Sequence, residues 1–247
     1  MGVYDIIVFN RSFNDFSNIA FRGNSYETLE AYARKVETRV DKKTRVETRT
    51  IISSPDELAA ATLKGFTVTE DMLGNYSQTT YGRTAPSRSS EETPDGLYHL
   101  HFVPKKLTRE VSAVLHIEGL NNIRSATCRL GGVAESIFLA TGKTSANTVT
   151  QEFTPSNPEF SPGSPFNGTL SCEFEIFGLN VIDNNNLHLD ALLVDGKTEF
   201  EGDCTNVKIT ENDDGTGSVT LILEASTEKV PDVKPEGGEP VPALMWT

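Results

Sequence analysis

Apolar and polar residues alternate along much of the second half of the chain, and this pattern predicts β-strands. Every second residue from Val111 to Ile117 is apolar, and the same holds from Leu170 to Ile176. Successive side chains of a strand point to opposite faces, so this period predicts strands with one buried face. The segment Leu187–Ala191 shows the same alternation.

Turn residues after these strands predict hairpins. Asp195-Gly196 follows Leu187–Ala191, and Asn212–Gly217 separates Val207–Ile209 from Val219–Leu223. Asn, Asp and Gly tolerate the positive φ angles of tight hairpin turns. No strand–helix–strand rhythm indicates a parallel sheet, so we expect an antiparallel β-sandwich over residues 105–226.

The first hundred residues are less regular but also predict strands. Tyr4–Asn10 is a mostly apolar block rich in β-branched and aromatic residues, so we expect a strand with neighbours on both faces. Arg45–Ile52 and Leu97–Val103 are further predicted strands. Pro104 and the lysines that follow it indicate a domain junction, which divides the chain into residues 1–104, 105–226 and 227–247.

Three segments between the predicted strands have other patterns. Ser25–Lys35 fits a short helix capped by Ser25 or a strand with a turn, and both alternatives stay open. Ser54–Ala61 has a proline followed by acids, which predicts the start of a helix. Tyr76–Gly96 is polar and predicts a long loop.

The end of the chain has a different composition from the rest. Glu228–Pro242 carries four prolines and paired glycines, which predicts an extended tail that builds no core. The tail leads into the apolar segment Ala243–Trp246, which holds the only tryptophan.

Charge and hydropathy exclude several classes of partner. The 247 residues carry a net charge of −13, and the basic residues are thinly spread, so we expect no nucleic acid or anionic membrane surface as partner. No apolar run approaches the roughly 20 residues that span a bilayer. The first residues do not form a signal peptide, so if Met1 is the true start, the pattern favours a cytoplasmic protein.

Three widely spaced cysteines, Cys128, Cys172 and Cys204, form no CxxC pair. An odd number favours buried free thiols over a disulfide framework. One bridge between Cys172 and Cys204 stays open as the alternative in an oxidising compartment.

Candidate chemistry is sparse. His99 and His101 share a face of the predicted strand Leu97–Val103, and such a pair can bind zinc, but no third ligand is visible. We therefore expect two exposed polar residues there. Glu173 and Glu175 lie on the outward face of another strand, where solvation is the default.

Two further motifs are better explained by backbone geometry than by ligand binding. Asn212–Gly217 lacks the acid spacing of a calcium loop, and Asp183–Asn186 is a run of turn-forming side chains. The pair Gly131-Gly132 has no phosphate-loop spacing and indicates a bulge or a close backbone approach. We predict no catalytic, cofactor-binding or metal-binding residues and no cofactor.

Several blocks together resemble the fimbrillin-like lipoproteins of Bacteroides-type anaerobes, a group with fimbrial subunits and fimbrial anchor proteins. The resemblance covers most of residues 3–225, and the order of the blocks carries it. The blocks are Tyr4–Asn10, Tyr26–Tyr32, Pro55–Leu58, Phe66–Val68, Val111–Leu120, Leu130–Ala134 and Val207–Leu223.

The resemblance implies an all-β protein of two tandem transthyretin-like β-sandwich domains. Members of the group carry an export signal, a lipid-anchor cysteine and several strands before the block that matches Tyr4–Asn10, and this chain has no cysteine before Cys128. The resemblance therefore implies a chain that lacks its beginning, with the first domain incomplete. It offers no catalytic residues.

The resemblance also implies a function at the cell surface or outer membrane, in fimbria assembly, anchoring or adhesion. Its partners would be other fimbrial subunits or surface proteins, and contact with the outer membrane would run through a lipid anchor absent from this chain. Missing strands would leave an open sheet edge that accepts a strand from another chain, and Val241–Trp246 is a candidate donor.

Two other functions stay open. The first is a surface module that binds glycans or host proteins, for which Tyr76, Tyr81 and Trp246 are the aromatic candidates. The second is a hydrolase with a site built around His99 and His101.

Overall fold

A computed structural model describes residues 2–40, 48–70, 72, 99–180, 185–213 and 219–235. Nearly all regular structure in these ranges is β-strand, which confirms the all-β prediction. The strands are β1 (Gly2–Phe9), β2 (Ile19–Arg22), β3 (Glu30–Ala33), β4 (Lys35–Val40), β5 (Thr48–Ile52), β6 (Ala59–Val68), β7 (Lys105–Lys106), β8 (Arg109–Glu118), β9 (Ile123–Ala134), β10 (Ser136–Phe138), β11 (Thr148–Phe153), β12 (Asn157–Phe160), β13 (Asn167–Ile176), β14 (Leu187–Leu193), β15 (Glu199–Asp203), β16 (Thr205–Asp213) and β17 (Val219–Ser226). Short 3₁₀ turns occupy Phe13–Asp15 and Leu120–Asn122.

Two large sheets pack face to face as a β-sandwich. One sheet has the strand order β15–β14–β9–β11–β5–β4, and the other has the order β12–β13–β8–β17–β16. Every second side chain of β8 from Val111 to Ile117 is buried between the sheets, as the alternation predicts. The rings of Phe153 on β11 and Phe174 on β13 stack across the sandwich with centroids 4.3 Å apart.

Two small sheets form a second layered unit beside the sandwich. Their strand orders are β1–β6–β7 and β10–β3–β2. Phe9 on β1 stacks on Phe21 of β2 with ring centroids 5.3 Å apart, and Phe16 is buried against both. This arrangement fits the tandem organisation expected from the sequence.

Strand pairings cross residue 104 in three places. β7 pairs with β6, β10 pairs with β3, and β11 runs parallel to β5. Ile51 and Ile52 on β5 are consequently buried in the shared apolar core. The division at residue 104 stays a prediction, and in this fold it separates segments that share sheets.

The segment Ser54–Ala61 does not form the predicted helix. Leu58 is fully buried, and its backbone carbonyl accepts a hydrogen bond from the amide of Leu107 at 2.7 Å. The Asp56 carboxylate accepts a hydrogen bond from the amide of Asn18 at 2.7 Å instead of capping its own segment. Tertiary contacts therefore outweigh the local propensity here.

Other predictions for the first hundred residues have mixed outcomes. Ser25–Lys35 forms a turn followed by β3 and the start of β4, so the strand alternative is right. β5 confirms the described part of the strand predicted over Arg45–Ile52. The strand predicted over Leu97–Val103 is wrong for residues 99–103, which have no regular structure, and Pro104 supplies no amide hydrogen for a ladder. Tyr76–Gly96 lies outside the described residues.

The glycine pair in β9 shows both features that the sequence left open. The ladder between β9 and β11 shifts register opposite this pair, and Gly132 has a φ of 80°. A Cβ at Gly131 would overlap the side-chain oxygen of Asn186, whose backbone carbonyl accepts a hydrogen bond from the Gly131 amide at 2.9 Å. The bulge and the close approach therefore occur together.

The first residues after β17 continue its path along β8. The amides of Thr227 and Val230 donate hydrogen bonds to the carbonyls of His116 and Glu118, and the Val230 side chain is fully buried. The expectation that this composition builds no core is therefore wrong at Val230. Residues 236–247 lie outside the described ranges.

The three cysteines are free thiols. Cys128 is fully buried on β9, and burial raises its pKa well above the ordinary value. Burial also raises the pKa of Cys172 and of Cys204 to about 11.

Val230→Ala is expected to lower the free energy of unfolding by about 1–3 kcal/mol, because it removes buried methyl groups and leaves a cavity. Urea unfolding followed by circular dichroism measures the change. Val103→Ala is the matched control because Val103 is 85% exposed, and we expect its effect to stay within about 0.5 kcal/mol. Equal effects of the two substitutions would contradict the docking of Val230.

The thiols are expected to react slowly with iodoacetamide at pH 8 in the folded protein, because only about a thousandth of a thiol with a pKa near 11 is then thiolate. After unfolding in urea without reductant, all three thiols should be alkylated. Mass spectrometry counts the adducts. Rapid alkylation of the folded protein, or a disulfide in the unfolded one, would contradict the assignment.

Candidate functional site

The first strand lies at an open sheet edge. β1 is the outer strand of its sheet and pairs only with β6. None of its side chains is buried, and Val3 and Tyr4, which point to opposite faces, are 68% and 51% exposed. The expectation that this apolar strand has neighbours on both faces is therefore wrong for the residues that the structure describes.

β1 and β6 form a ribbon, which we call the β1–β6 ribbon. β7 pairs with β6 only at Ala59 and Ala60, so in the described ranges the ribbon has two strands from Ala61 onward. A two-stranded ribbon is marginally stable in water, and a third strand on an apolar face stabilises it. Ile6 and Ile7 in this ribbon are half-buried.

The base of the ribbon is held firmly. The Ala59 amide donates to Oδ1 of Asn10 at 3.0 Å, and the Asn10 amide donates to the Ala59 carbonyl at 3.1 Å. The ring of Phe9 also packs against Phe13, Phe16 and Phe21. The anchored base presents the outer end of the ribbon to solvent in a defined place.

Side-chain contacts also steady the middle of the ribbon. Asp5 lies at a register shift in β1, and its carboxylate accepts a hydrogen bond from the Gly65 amide at 2.8 Å. Lys64 forms an ion pair with Glu27 at 2.9 Å, and this contact raises the pKa of Lys64 and lowers that of Glu27. Both charged groups are exposed, so the pair contributes little stability.

A cleft of about 630 Å³ opens at one end of the sandwich. Phe177 and Leu221 contribute apolar surface, and Lys143 stands at its rim. Arg109 in the cleft is paired with Glu211 at 2.8 Å, while Lys143 makes no ion pair with any described residue. The cleft therefore offers an apolar wall and one cation to a ligand.

The outer face of the larger sheet carries a row of charged side chains across four strands. In order, Glu152 on β11 contacts Arg129 on β9, Arg129 contacts Asp190 on β14, Asp190 contacts His188, and His188 contacts Asp203 on β15. We call this row the charged ladder. Partial burial opposes the charge of Arg129, but its hydrogen bonds to Glu152 and Asp190 outweigh that effect and raise its pKa.

The charged ladder also holds the potential metal ligands of the described residues. One ligand atom from each of His188, Asp190 and Glu201 can be chosen so that all lie within 4.8 Å of one another. Sequence analysis missed this group, although His188 and Asp190 have the same i, i+2 spacing that drew attention to His99 and His101. The third ligand, on β15, becomes a neighbour only through strand pairing.

The structure places the residues singled out in the sequence apart from one another. His99 and His101 are exposed and lie outside the strands. Glu173 is exposed as expected, but Glu175 is half-buried and forms an ion pair with Lys106 at 2.7 Å. Tyr76, Tyr81 and Trp246, the aromatic candidates for ligand binding, lie outside the described ranges.

The large hairpin predicted near the end of the chain is confirmed in its described part. β16 and β17 pair antiparallel up to Asp213 and Val219, and Asn212 pairs with Thr220. Residues 214–218 lie outside the described ranges. The hairpin at Asp195-Gly196 is also present, and Asp195 accepts hydrogen bonds from the amides of Lys197 and Thr198.

Comparisons with solved structures support the fold. A candidate adhesin from Bacteroides ovatus ATCC 8483 is 16% identical, with a TM-score of 0.50 over 82% of this chain and 64% of that chain. A second candidate adhesin from Bacteroides ovatus is 9% identical, with a TM-score of 0.33 over 81% of this chain and 55% of that chain. At these identities the likeness concerns the fold alone.

Two further comparisons concern the sequence. No significant match was found among curated proteins. No helix within the described residues is long and apolar enough to cross a bilayer. A family model matches residues 1–154, from before β1 to just after β11, and so spans the predicted junction at residue 104. The chain belongs to the DUF5119 family, a domain of unknown function.

Proposed function

We propose that this chain is a non-enzymatic cell-surface protein of the fimbrillin-like type. In this proposal it works in fimbria assembly, anchoring or adhesion, and the open edge of β1 accepts a strand from another fimbrial subunit or surface protein. The observation that carries the proposal is the apolar strand β1, which pairs on one side only and has no buried side chain.

Strand addition suits the chemistry of the β1–β6 ribbon. The open edge of a strand presents backbone N–H and C=O groups, and an added strand satisfies them while covering apolar side chains. Val3 and Tyr4 would lose exposed surface on opposite faces of the extended sheet. A matching donor is an extended segment with alternating apolar residues.

Supporting observations come from the fold and from the resemblance. The match in fold to a candidate adhesin of Bacteroides ovatus fits a surface protein, and the resemblance to the fimbrillin-like group supplies fimbria assembly as the context. The proposal includes no catalytic step and no cofactor. Localisation at the cell surface or outer membrane forms part of the proposal.

The position of Val230 decides how the tail is tested as a donor. A deletion that begins at residue 228 would remove a buried core residue, so its effect on assembly would be mixed with unfolding. A chain ending at Pro235 keeps Val230 and Val233, which pack against the core. The segment Val241–Trp246 can then be supplied separately as a peptide.

The double substitution Val3→Lys and Tyr4→Lys is expected to weaken strand addition by at least about tenfold, or about 1.4 kcal/mol. Lysines at an open edge oppose pairing with another strand and leave the core untouched. A fluorescent peptide of residues 236–247, titrated into the chain that ends at Pro235, measures binding. Sedimentation of the full chain measures assembly.

Val103→Lys is the matched control because Val103 is equally exposed but lies outside the ribbon. It should leave peptide binding and sedimentation unchanged. Peptide binding that the double substitution leaves unaltered would remove β1 as the acceptor. No peptide binding, with sedimentation that still depends on Val3 and Tyr4, would remove the tail as the donor.

The cleft supports the alternative function, a surface module that binds glycans or host proteins. Its volume lies within the range of small-molecule sites, and Lys143 has no carboxylate partner among the described residues. An acidic glycan would place its carboxylate or sulfate on Lys143 and a sugar ring against Phe177.

If the alternative holds, a glycan array probed with the full chain should show binding to acidic glycans. Lys143→Ala should then reduce that binding by at least about tenfold, because it removes the cation that pairs with the ligand. Lys208→Ala, on exposed β16, is the control that should leave it unchanged. An array without hits would count against this function.

A further inference from the structure

We infer that the outer face of the larger sheet carries a binding site for a divalent transition-metal ion of the Zn²⁺ class, with His188, Asp190 and Glu201 as ligands. The site lies on β14 and β15, within the charged ladder and away from the β1–β6 ribbon and the cleft. The inference stands independently of the proposed function.

Strand register brings the ligands together. His188 and Asp190 are two residues apart on β14, so both side chains point outward on the same face. β15 pairs antiparallel with β14 and places Asp203 opposite His188 and Glu201 opposite Asp190. Side chains at directly opposed positions are about 5 Å apart at Cβ, which is close enough to share one ion.

The hydrogen bonds of His188 favour a cation at its second ring nitrogen. Nδ1 lies 2.8 Å from Oδ1 of Asp203, so in the neutral ring the proton belongs on Nδ1. Nε2 then directs a lone pair at Oδ1 of Asp190, 3.0 Å away. Two lone pairs repel at this distance, and a metal ion between the atoms converts the repulsion into coordination.

The geometry matches a metal site that has a supporting second layer of contacts. Metal-bound histidines commonly donate their other N–H to a carboxylate, which is the role of Asp203 here. Ligands about 2.0–2.1 Å from a tetrahedral zinc ion lie roughly 3.3 Å apart, close to the separation of the His188 and Asp190 atoms. Arg129 holds Oδ2 of Asp190 and leaves Oδ1 for the ion.

The local charge also favours a cation. Asp190 and Glu201 are directly opposed carboxylates, an arrangement that destabilises a sheet unless a positive charge lies between them. Glu201 makes no hydrogen bond or ion pair with another described residue. The ladder and Glu201 together comprise four carboxylates and one guanidinium, so one dication still leaves the group net negative.

The ligand set indicates the class of ion. One imidazole nitrogen with two carboxylates suits zinc and similar transition metals, whereas Ca²⁺ and Mg²⁺ take oxygen ligands. Glu201 is exposed and His188 is about one-third exposed, so water has access to the remaining positions on the ion. A donor group from a bound molecule can replace that water.

Titration of the full chain with ZnCl₂ in an isothermal calorimeter tests the site. We expect one Zn²⁺ per chain, with no comparable heat from CaCl₂ or MgCl₂. His188→Gln and Glu201→Gln should each weaken binding by at least about 100-fold, because they remove ligands, and Asp203→Asn should weaken it by about 10–100-fold through loss of ring orientation.

Matched controls separate this site from other zinc ligands. His116→Gln, on the exposed face of β8, and Glu199→Gln, on the same face of β15 as Glu201, should change the affinity by less than about threefold. Circular dichroism checks that each variant is folded. A double substitution of His99 and His101 by Gln should also leave binding intact, and a loss of binding there would overturn the assignment.

Co²⁺ substitution adds a spectroscopic readout. Nitrogen and oxygen ligands give no thiolate-to-cobalt charge-transfer absorption, so we expect none from the folded chain. Such absorption would assign the metal to the cysteines. Absence of Zn²⁺ binding, equal binding of Ca²⁺, or an unchanged affinity in His188→Gln would each overturn the proposal.

Discussion

The apolar layer between the two large sheets is the interaction on which the rest of this structure depends. β8 lies at its centre, with β13 on one side and β17 on the other. Burial of one Leu, Ile or Val side chain stabilises a fold by about 1.5–3 kcal/mol. Strands from both halves of the chain contribute to this layer, since Ile51 and Ile52 join it through β5. Removal of either half would expose apolar surface on the other.

The same layer determines what the outer face of the sandwich can do. On β14, Leu187 and Leu189 point into the core, and His188 and Asp190 therefore point outward. A register slip of one residue would exchange the two sets, so the buried leucines hold the charged side chains opposite their partners on β15. The charged ladder is thus a consequence of core packing, although it contributes no apolar contact itself.

The β1–β6 ribbon shows the opposite balance. Its strands are as apolar as many core strands, but the described residues cover its faces only in part. The Phe9 ring and the hydrogen bonds of Asn10 secure its base, while Val3 and Tyr4 extend into solvent. Apolar surface on an open edge is a cost for an isolated chain, and contact with a further strand offsets it.

The sequence by itself determined the strands of the sandwich and their buried faces, because period-two alternation is a local property that each strand carries alone. It also showed His188 and Asp190 at a ligand-like spacing. Only the tertiary structure decided that Glu201 meets them, that β5 runs beside β11, that Leu58 is held in irregular backbone and that Val230 belongs to the core. Those outcomes depend on pairings between residues far apart in the chain, where long-range hydrogen bonds and burial outweigh local propensity.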